Sequence, residues 1–216
     1  DTYEYDASQG DVITSDKGHS GVYSITGGSE RPVEFATAAG ASRQFFWFAF
    51  RSSPHRHIVQ SLALESRVRV YGPNPNVNPD GTSPDTPIQD VTLAPFGFLD
   101  FTTPTNGEYY ILASQPVVTT TTNQSLNQDQ RVLLPLTNEI FGHTAGVGSG
   151  DTRISALFAN TTVQVWQSDG SGPFTGTASP GAPLSLQGND SSPINLGNDD
   201  SYNQNGWLII KADGPI

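Results

Sequence analysis

Cysteine and methionine are absent from this 216-residue chain, and lysine occurs only as Lys17 and Lys211. Without cysteine, disulfide scaffolds and thiolate metal centres are excluded. Charged side chains make up 14 % of the residues, against roughly 25 % in an ordinary globular chain. Long amphipathic helices draw on Ala, Leu, Glu, Lys and Arg, and the scarcity of lysine and glutamate excludes a helical bundle. No apolar run reaches the ~18 residues of a membrane span, which excludes helical membrane insertion. Basic residues number 10 against 21 acidic ones, for a net charge of −11. Phosphate binding needs clustered Lys and Arg, so a nucleic-acid partner is excluded. The chain starts at Asp1 with no initiator Met and no signal-like segment, and is expected to be a processed product or a piece of a longer polypeptide.

Gly, Ser, Thr, Asn, Gln, Asp and Pro fill the space left by charge. Between them lie short runs rich in Val, Ile, Thr and aromatics, the mark of β-strands. Asp11 to Ile13 and Gly21 to Ile25 open the series. Gln44 to Arg51 (QFFWFAFR) reads as buried on both faces. Then come His57 to Leu64, the strictly alternating Arg67 to Tyr71, Asp90 to Leu93, and Phe96 to Phe101. Glu108 to Ala113, Pro116 to Thr122, Gln130 to Leu136, Arg153 to Phe158, Thr161 to Gln167, Ala182 to Leu186 and Trp207 to Lys211 complete it. Gln60 to Glu65 fits one helical turn or alternation equally. Gly72 to Thr86, with four prolines, reads as a loop, as do Gln167 to Pro180 and Gly188 to Asn205. The expected class is all-β.

An internal repeat organises these runs. VQSLALESRVRVYG (Val59 to Gly72) aligns without gaps with ISALFANTTVQVWQ (Ile154 to Gln167), 95 residues on. NGEYYILASQPV (Asn106 to Val117) aligns with NGWLIIKADGPI (Asn205 to Ile216), 99 residues on. GDVITSD (Gly10 to Asp16) is a shorter third copy. Two similar antiparallel β-sandwich units are expected, 1–105 and 106–216, or one larger sandwich or barrel built from both. Val12 and Ile13 at one end and Trp207, Leu208, Ile209 and Ile210 at the other are expected to be assembly strands, since an unpaired strand leaves N–H and C=O groups open.

Site chemistry is sparse. Asn74, Asn76, Asn78, Asp80 and Asp85 offer hard oxygen ligands suited to Ca²⁺, as do Asn189, Asp190, Asn198, Asp199 and Asp200, but neither set has EF-hand spacing. Asn and Asp are also turn formers, and no other cofactor is called for. Arg51, His55, Arg56 and His57 concentrate positive charge in an acidic chain and read as an exposed tip suited to surface contact. His55 and His57 fall on one face of an extended segment, half a zinc site at most. Trp47, Trp166 and Trp207 would serve a sugar platform only if exposed. There is no G-x-S-x-G elbow, no H-E-x-x-H and no phosphate loop, so an enzyme is not expected. Asn123, Asn160 and Asn189 fit the glycosylation sequon.

GWLIIKADGPI, with GEYYILASQPV and GDVITSD, resembles a strand, short Asp/Ser turn and strand unit of β-rich virion structural proteins of tailed phages, especially those of marine cyanobacteria. It is similar also to repeats in bacterial surface proteins. The resemblance covers three short segments and carries no functional residue. It implies a non-enzymatic building block of a virion or extracellular assembly (fibre, knob or capsid decoration), acting through β-edges and surface contacts. Its partners would be copies of itself or other subunits. The alternative is a carbohydrate-binding or adhesive surface domain, Ca²⁺-dependent if the Asn/Asp loops bind the ion, with surface glycans as partners.

Overall fold

The computed structural model describes residues 40–49, 54–103, 107–123, 131–132, 135–144, 152–167, 170, 172–187, 194–195 and 206–216. Among the described residues the chain is all-β, with no α-helix.

The first sheet is built from β1 (Ser42–Ala49), β2 (His55–Ser61), β3 (Ser66–Tyr71), β4 (Gln89–Leu93), β5 (Phe98–Thr103), β6 (Gly107–Asn123) and the two-residue β7 (Arg131–Val132). The long β6 is its axis. Its first half lies between β1 and β3, and its second half pairs β2 and β7, all antiparallel. The change of partners falls at the exposed stretch Ser114 to Pro116, opposite a register shift between Ser42 and Gln44 of β1. Proline has no N–H for a ladder, so an irregularity is where a central strand tolerates it. β4 adds to β3 and β5 to β2, giving the path β4–β3–β6–β2–β5. The turn 94–97 joins β4 to β5, so the ends of the path meet and the sheet curls into a nearly closed barrel. Alternation sends Phe45, Trp47, Val59, Val68, Val70, Tyr109 and Ile111 inward, where they form one packed core.

A second antiparallel sheet has the order β11 (Phe174–Ala178), β10 (Thr161–Gln167), β14 (Gly206–Ala212), β8 (Glu139–Thr144). A smaller sheet joins β9 (Thr152–Ile154), β12 (Leu184–Gln187) and β13 (Ile194–Asn195). Ile154, Leu184 and Leu186 of the smaller sheet share a core with Val163, Val165, Leu208 and Ile210 of the larger one.

The ladders of the two halves correspond rung by rung. In β3 and β6, Val68 pairs Ala113, Val70 pairs Ile111 and Tyr71 pairs Tyr110; in β10 and β14, Val163 pairs Ala212, Val165 pairs Ile210 and Trp166 pairs Ile209. β1 lies on β6 as β8 lies on β14, with Phe46 opposite Tyr110 and Phe141 opposite Ile209. Ser66 faces Leu93 as Thr161 faces Ala178, and Val59 faces Leu99 as Ile154 faces Leu184. The turns after β4 and β11 match as well. Pro95–Phe96 and Pro180–Gly181 occupy their centres, with φ +60° at Phe96 and +72° at Gly181. Gly97 N–H donates to Ala94 C=O at 2.8 Å, and Ala182 N–H to Ser179 C=O at 2.9 Å. Proline followed by positive φ is the type II turn.

Several expectations need correction. Glu108 to Ala113 and Pro116 to Thr122 are one strand, β6. Gln60 to Glu65 is not helical: β2 ends at Ser61 and a bend follows. β8 lies outside every expected run, and β11 and β13 fall in stretches read as loops. Glycine weakens local preference in FTGTA and EIFGHT, but β10 and β14 present edges that pair them. Leu208 to Ile210 need no distant partner, because β14 runs between β10 and β8. Val12 and Ile13, like Gly21 to Ile25, lie outside the described residues.

Candidate interaction surface

His57 is not a surface residue. β2 alternates, and the face shared by His55 and His57 turns toward the barrel core, leaving His57 fully buried. Its Nε2 lies 3.0 Å from Thr103 Oγ1, and its ring stacks on Phe101 at 5.0 Å and meets Trp47 at 4.6 Å. Burial, reinforced by the charge of His55, pushes its pKa down to about 3. Its Nδ1, Trp47 Nε1 and Thr119 Oγ1 are buried without a hydrogen-bond partner. Arg56 points the other way and pairs with Asp100, Nε donating to Oδ1 at 2.9 Å, and this bond raises the Arg56 pKa. Arg51 lies outside the described residues. The expected basic tip is thus a strand with one half-buried imidazole, one neutral buried imidazole and one neutralised guanidinium.

The first Asn/Asp loop spends its side-chain oxygens on itself and on β6, where Asn74 Oδ1 accepts the Glu108 N–H at 3.0 Å. Asp85 Oδ2 accepts the Asn76 N–H at 2.7 Å, and Asp80 Oδ1 accepts the Thr82 N–H at 2.9 Å. The Thr82 hydroxyl and amide hold the Asp80 pKa below its usual value. Asn78 Nδ2 donates to Thr82 Oγ1 at 3.0 Å. The Asp80–Thr82 bond is an Asx turn, and the other two tie the loop across itself. Among the described residues no three His, Cys, Asp or Glu side chains converge. Asp190, Asn198, Asp199 and Asp200 of the second loop lie outside the described residues, as does Asn189. A cleft of about 460 Å³ runs between this loop and the other half, lined by Asn74, Asn76, Asn78, Phe158 and Pro180 among others. No titratable group lines it, so it offers no acid–base chemistry. Trp47 is in the barrel core and Trp166 is half-buried, so neither gives an open sugar platform.

The outer face of the first sheet is the most structured surface. Phe46, Tyr110 and Tyr71 form a row across β1, β6 and β3. With Leu112 they pack under Leu157 and Phe158 of the β9–β10 corner, and against Val77 and Leu136. The Tyr110 hydroxyl donates to Gly81 C=O at 2.8 Å, and burial pushes its pKa up to about 12. Gly81 holds φ +80°, a left-handed backbone that glycine adopts without strain, where the loop closes on this face. Beside the row, fully buried Glu108 accepts the N–H of Gly181 through Oε2 at 2.5 Å. Burial raises its pKa, while the Gly181 N–H and the neighbouring Ser155 hydroxyl pull the other way. The β9–β10 corner and the β11–β12 turn thus seat the second half on the first.

The matching row on the second sheet is Phe141, Ile209 and Trp166. Phe141 is 64 % exposed and Ile209 37 %. A Lys211–Glu139 ion pair at 3.2 Å borders it. In the first half Leu64 is 59 % and Phe96 50 % exposed. Sequence reasoning named Ile209 as an assembly residue but missed Phe141, Leu64 and Phe96. The repeat was the signal that could have found them, because 95 residues relate Phe46 to Phe141. The chain matches no protein-family model, no curated protein and no solved structure.

Proposed function

We propose that this protein is a non-enzymatic structural module of an extracellular or virion assembly, made of two copies of one β unit. The observation that carries the reading is the identity of strand registers in the two halves, down to the type II turns after β4 and β11. On this reading the first unit runs through β6, and the boundary falls after the barrel rather than at 105/106. Repeated units stack because each leaves a surface that only a neighbour buries. The seating of the second half on the Phe46–Tyr110–Tyr71 row is one such contact inside the chain.

The partners are copies of the chain or other subunits of the assembly. The test is light scattering and electron microscopy of the purified chain over a concentration series, beside a glycan array with and without chelator. Concentration-dependent oligomers and a blank array are expected. A chain that stays at 23.0 kDa throughout, or that binds glycans as a monomer, would replace this reading with the adhesive one.

A further inference from the structure

We propose that the chain stacks head to tail, the exposed Phe141–Ile209–Trp166 face of one copy receiving the Leu62–Leu64 corner and the Phe96 turn of a second. This rests on the reading of the chain as a doubled building block and names the contact that joins the copies. A contact of this kind already exists inside the molecule. There, the row Phe46–Tyr110–Tyr71 receives Leu157 and Phe158 from the corner after β9. Beside that row, Glu108 takes the N–H of Gly181 from the turn after β11. By ladder register, the same row in the second half is Phe141–Ile209–Trp166. The same corner in the first half is Leu62–Leu64, and the same turn is Ala94–Gly97. One half therefore has its face occupied and its corner exposed; the other has its corner seated and its face exposed.

Five of the six exposed large apolar side chains fall where this demands, Ile88 being the exception. Among the described residues they are Leu64, Ile88, Phe96, Phe98, Phe141 and Ile209. Leu64, Phe96 and Phe98 sit at the corner and turn of the first half, and Phe141 and Ile209 on the face of the second. Corner and turn are held together, Phe96 N–H donating to Leu62 C=O at 2.8 Å and Ser61 N–H to Gly97 C=O at 2.9 Å. They thus form one rigid apolar knob. Phe96 adds an independent sign. It holds φ +60°, where the matching position carries glycine, and a bulky side chain there costs energy. Half of the Phe96 ring is left exposed in this strained conformation, giving the knob an aromatic tip. The position of Glu108, which meets Gly181 inside the chain, is held by Trp207 in the second half. At that point the contact between copies replaces a carboxylate–amide bond with apolar residue types on both sides.

Face and knob are different surfaces, so the contact is heterologous and passes from copy to copy, into a filament or, where the rotation closes, a ring. The test uses Leu64→Glu, which blocks the knob, and Phe141→Glu, which blocks the face, both at exposed positions and checked for unchanged circular dichroism. Sedimentation velocity of the unaltered chain should show a ladder of species lengthening with concentration. Each variant alone should collapse to 23.0 kDa. Mixed one to one, they should give a species of twice that mass and nothing longer, because each supplies the surface the other has lost. Assembly that survives both substitutions, or variants that fail to pair when mixed, overturns this contact and leaves the building-block reading standing. An unaltered chain that never assembles overturns both.

Discussion

The two halves share their ladders but treat the same surface in opposite ways. Tyr110 and Ile209 stand at equivalent rungs, one buried with its hydroxyl bonded to Gly81, the other 37 % exposed. The loop 72–88 helps make the difference: it carries Val77 onto the covered row, and its counterpart 168–173 is much shorter. An unchanged ladder fixes where side chains point, not whether they are buried; that is decided by loops and neighbours. Truncating both residues puts this contrast to its most demanding trial. Tyr110→Ala should cost about 3–5 kcal/mol, the range for deleting a buried aromatic side chain. Ile209→Ala should cost about 1 kcal/mol, because much of that side chain is already in water. Urea unfolding of both variants checks this, and equal losses would mean the two faces are equally covered.

Acid should separate the halves next. His57 stays neutral in the barrel until about pH 3, whereas an unfolded histidine protonates near pH 6.5. The unfolded chain therefore binds more protons between these values, and stability is lost as pH falls through that window. At about 1.4 kcal/mol for each pH step of one, the loss reaches about 3 kcal/mol at pH 4. His57→Phe should flatten that slope. The matching position in β9 is Thr152, which does not titrate. Glu108 acts with the opposite sign. Burial raises its pKa, so its contribution is full below the ordinary glutamate value and is lost as pH rises through the folded one. Glu108→Gln keeps an acceptor for Gly181 N–H and removes that loss, raising stability at neutral pH. Tryptophan fluorescence and circular dichroism against pH would show the first-half barrel yielding before the second half; a single pH-independent transition would contradict this.

How much of this was legible follows from which forces wrote it. The runs 59–72 and 154–167, and 106–117 and 205–216, carry alternating apolar patterns, and their strand positions prove to be equivalent rungs, 68–71 on 110–113 as 163–166 on 209–212. β8 and β11 escaped because their partners, not their own residues, make them strands. His55 and His57 were placed on one face, but alternation alone does not say which face is the core. Two imidazoles in a basic run suggested solvent; contact with Trp47 and with Phe101, the ladder partner of His57 in β5, decided otherwise. The exposed face and knob could be found only after the halves were superposed by register, since Phe141, Leu64 and Phe96 draw no notice until compared with Phe46, Ala159 and Gly181.

The type II turns carry the same contrast between halves down to a single backbone angle. At Phe96 the left-handed backbone costs about 1–2 kcal/mol, partly offset by the greater freedom glycine would have when unfolded. Phe96→Gly should therefore stabilise the single chain by a little under about 1 kcal/mol. At Gly181, where an added Cβ meets nothing within 4 Å, Gly181→Ala should cost about 1 kcal/mol through backbone strain alone. The Gly181 N–H would still reach Glu108. Unfolding curves at low concentration read both changes. If Phe96→Gly is destabilising, the aromatic ring packs on its own unit and is not an exposed tip. If the variant is more stable yet loses the concentration-dependent ladder of species, the strain at residue 96 is retained for contact between copies, and residues 96 and 181 mark the ends of one stacking rule.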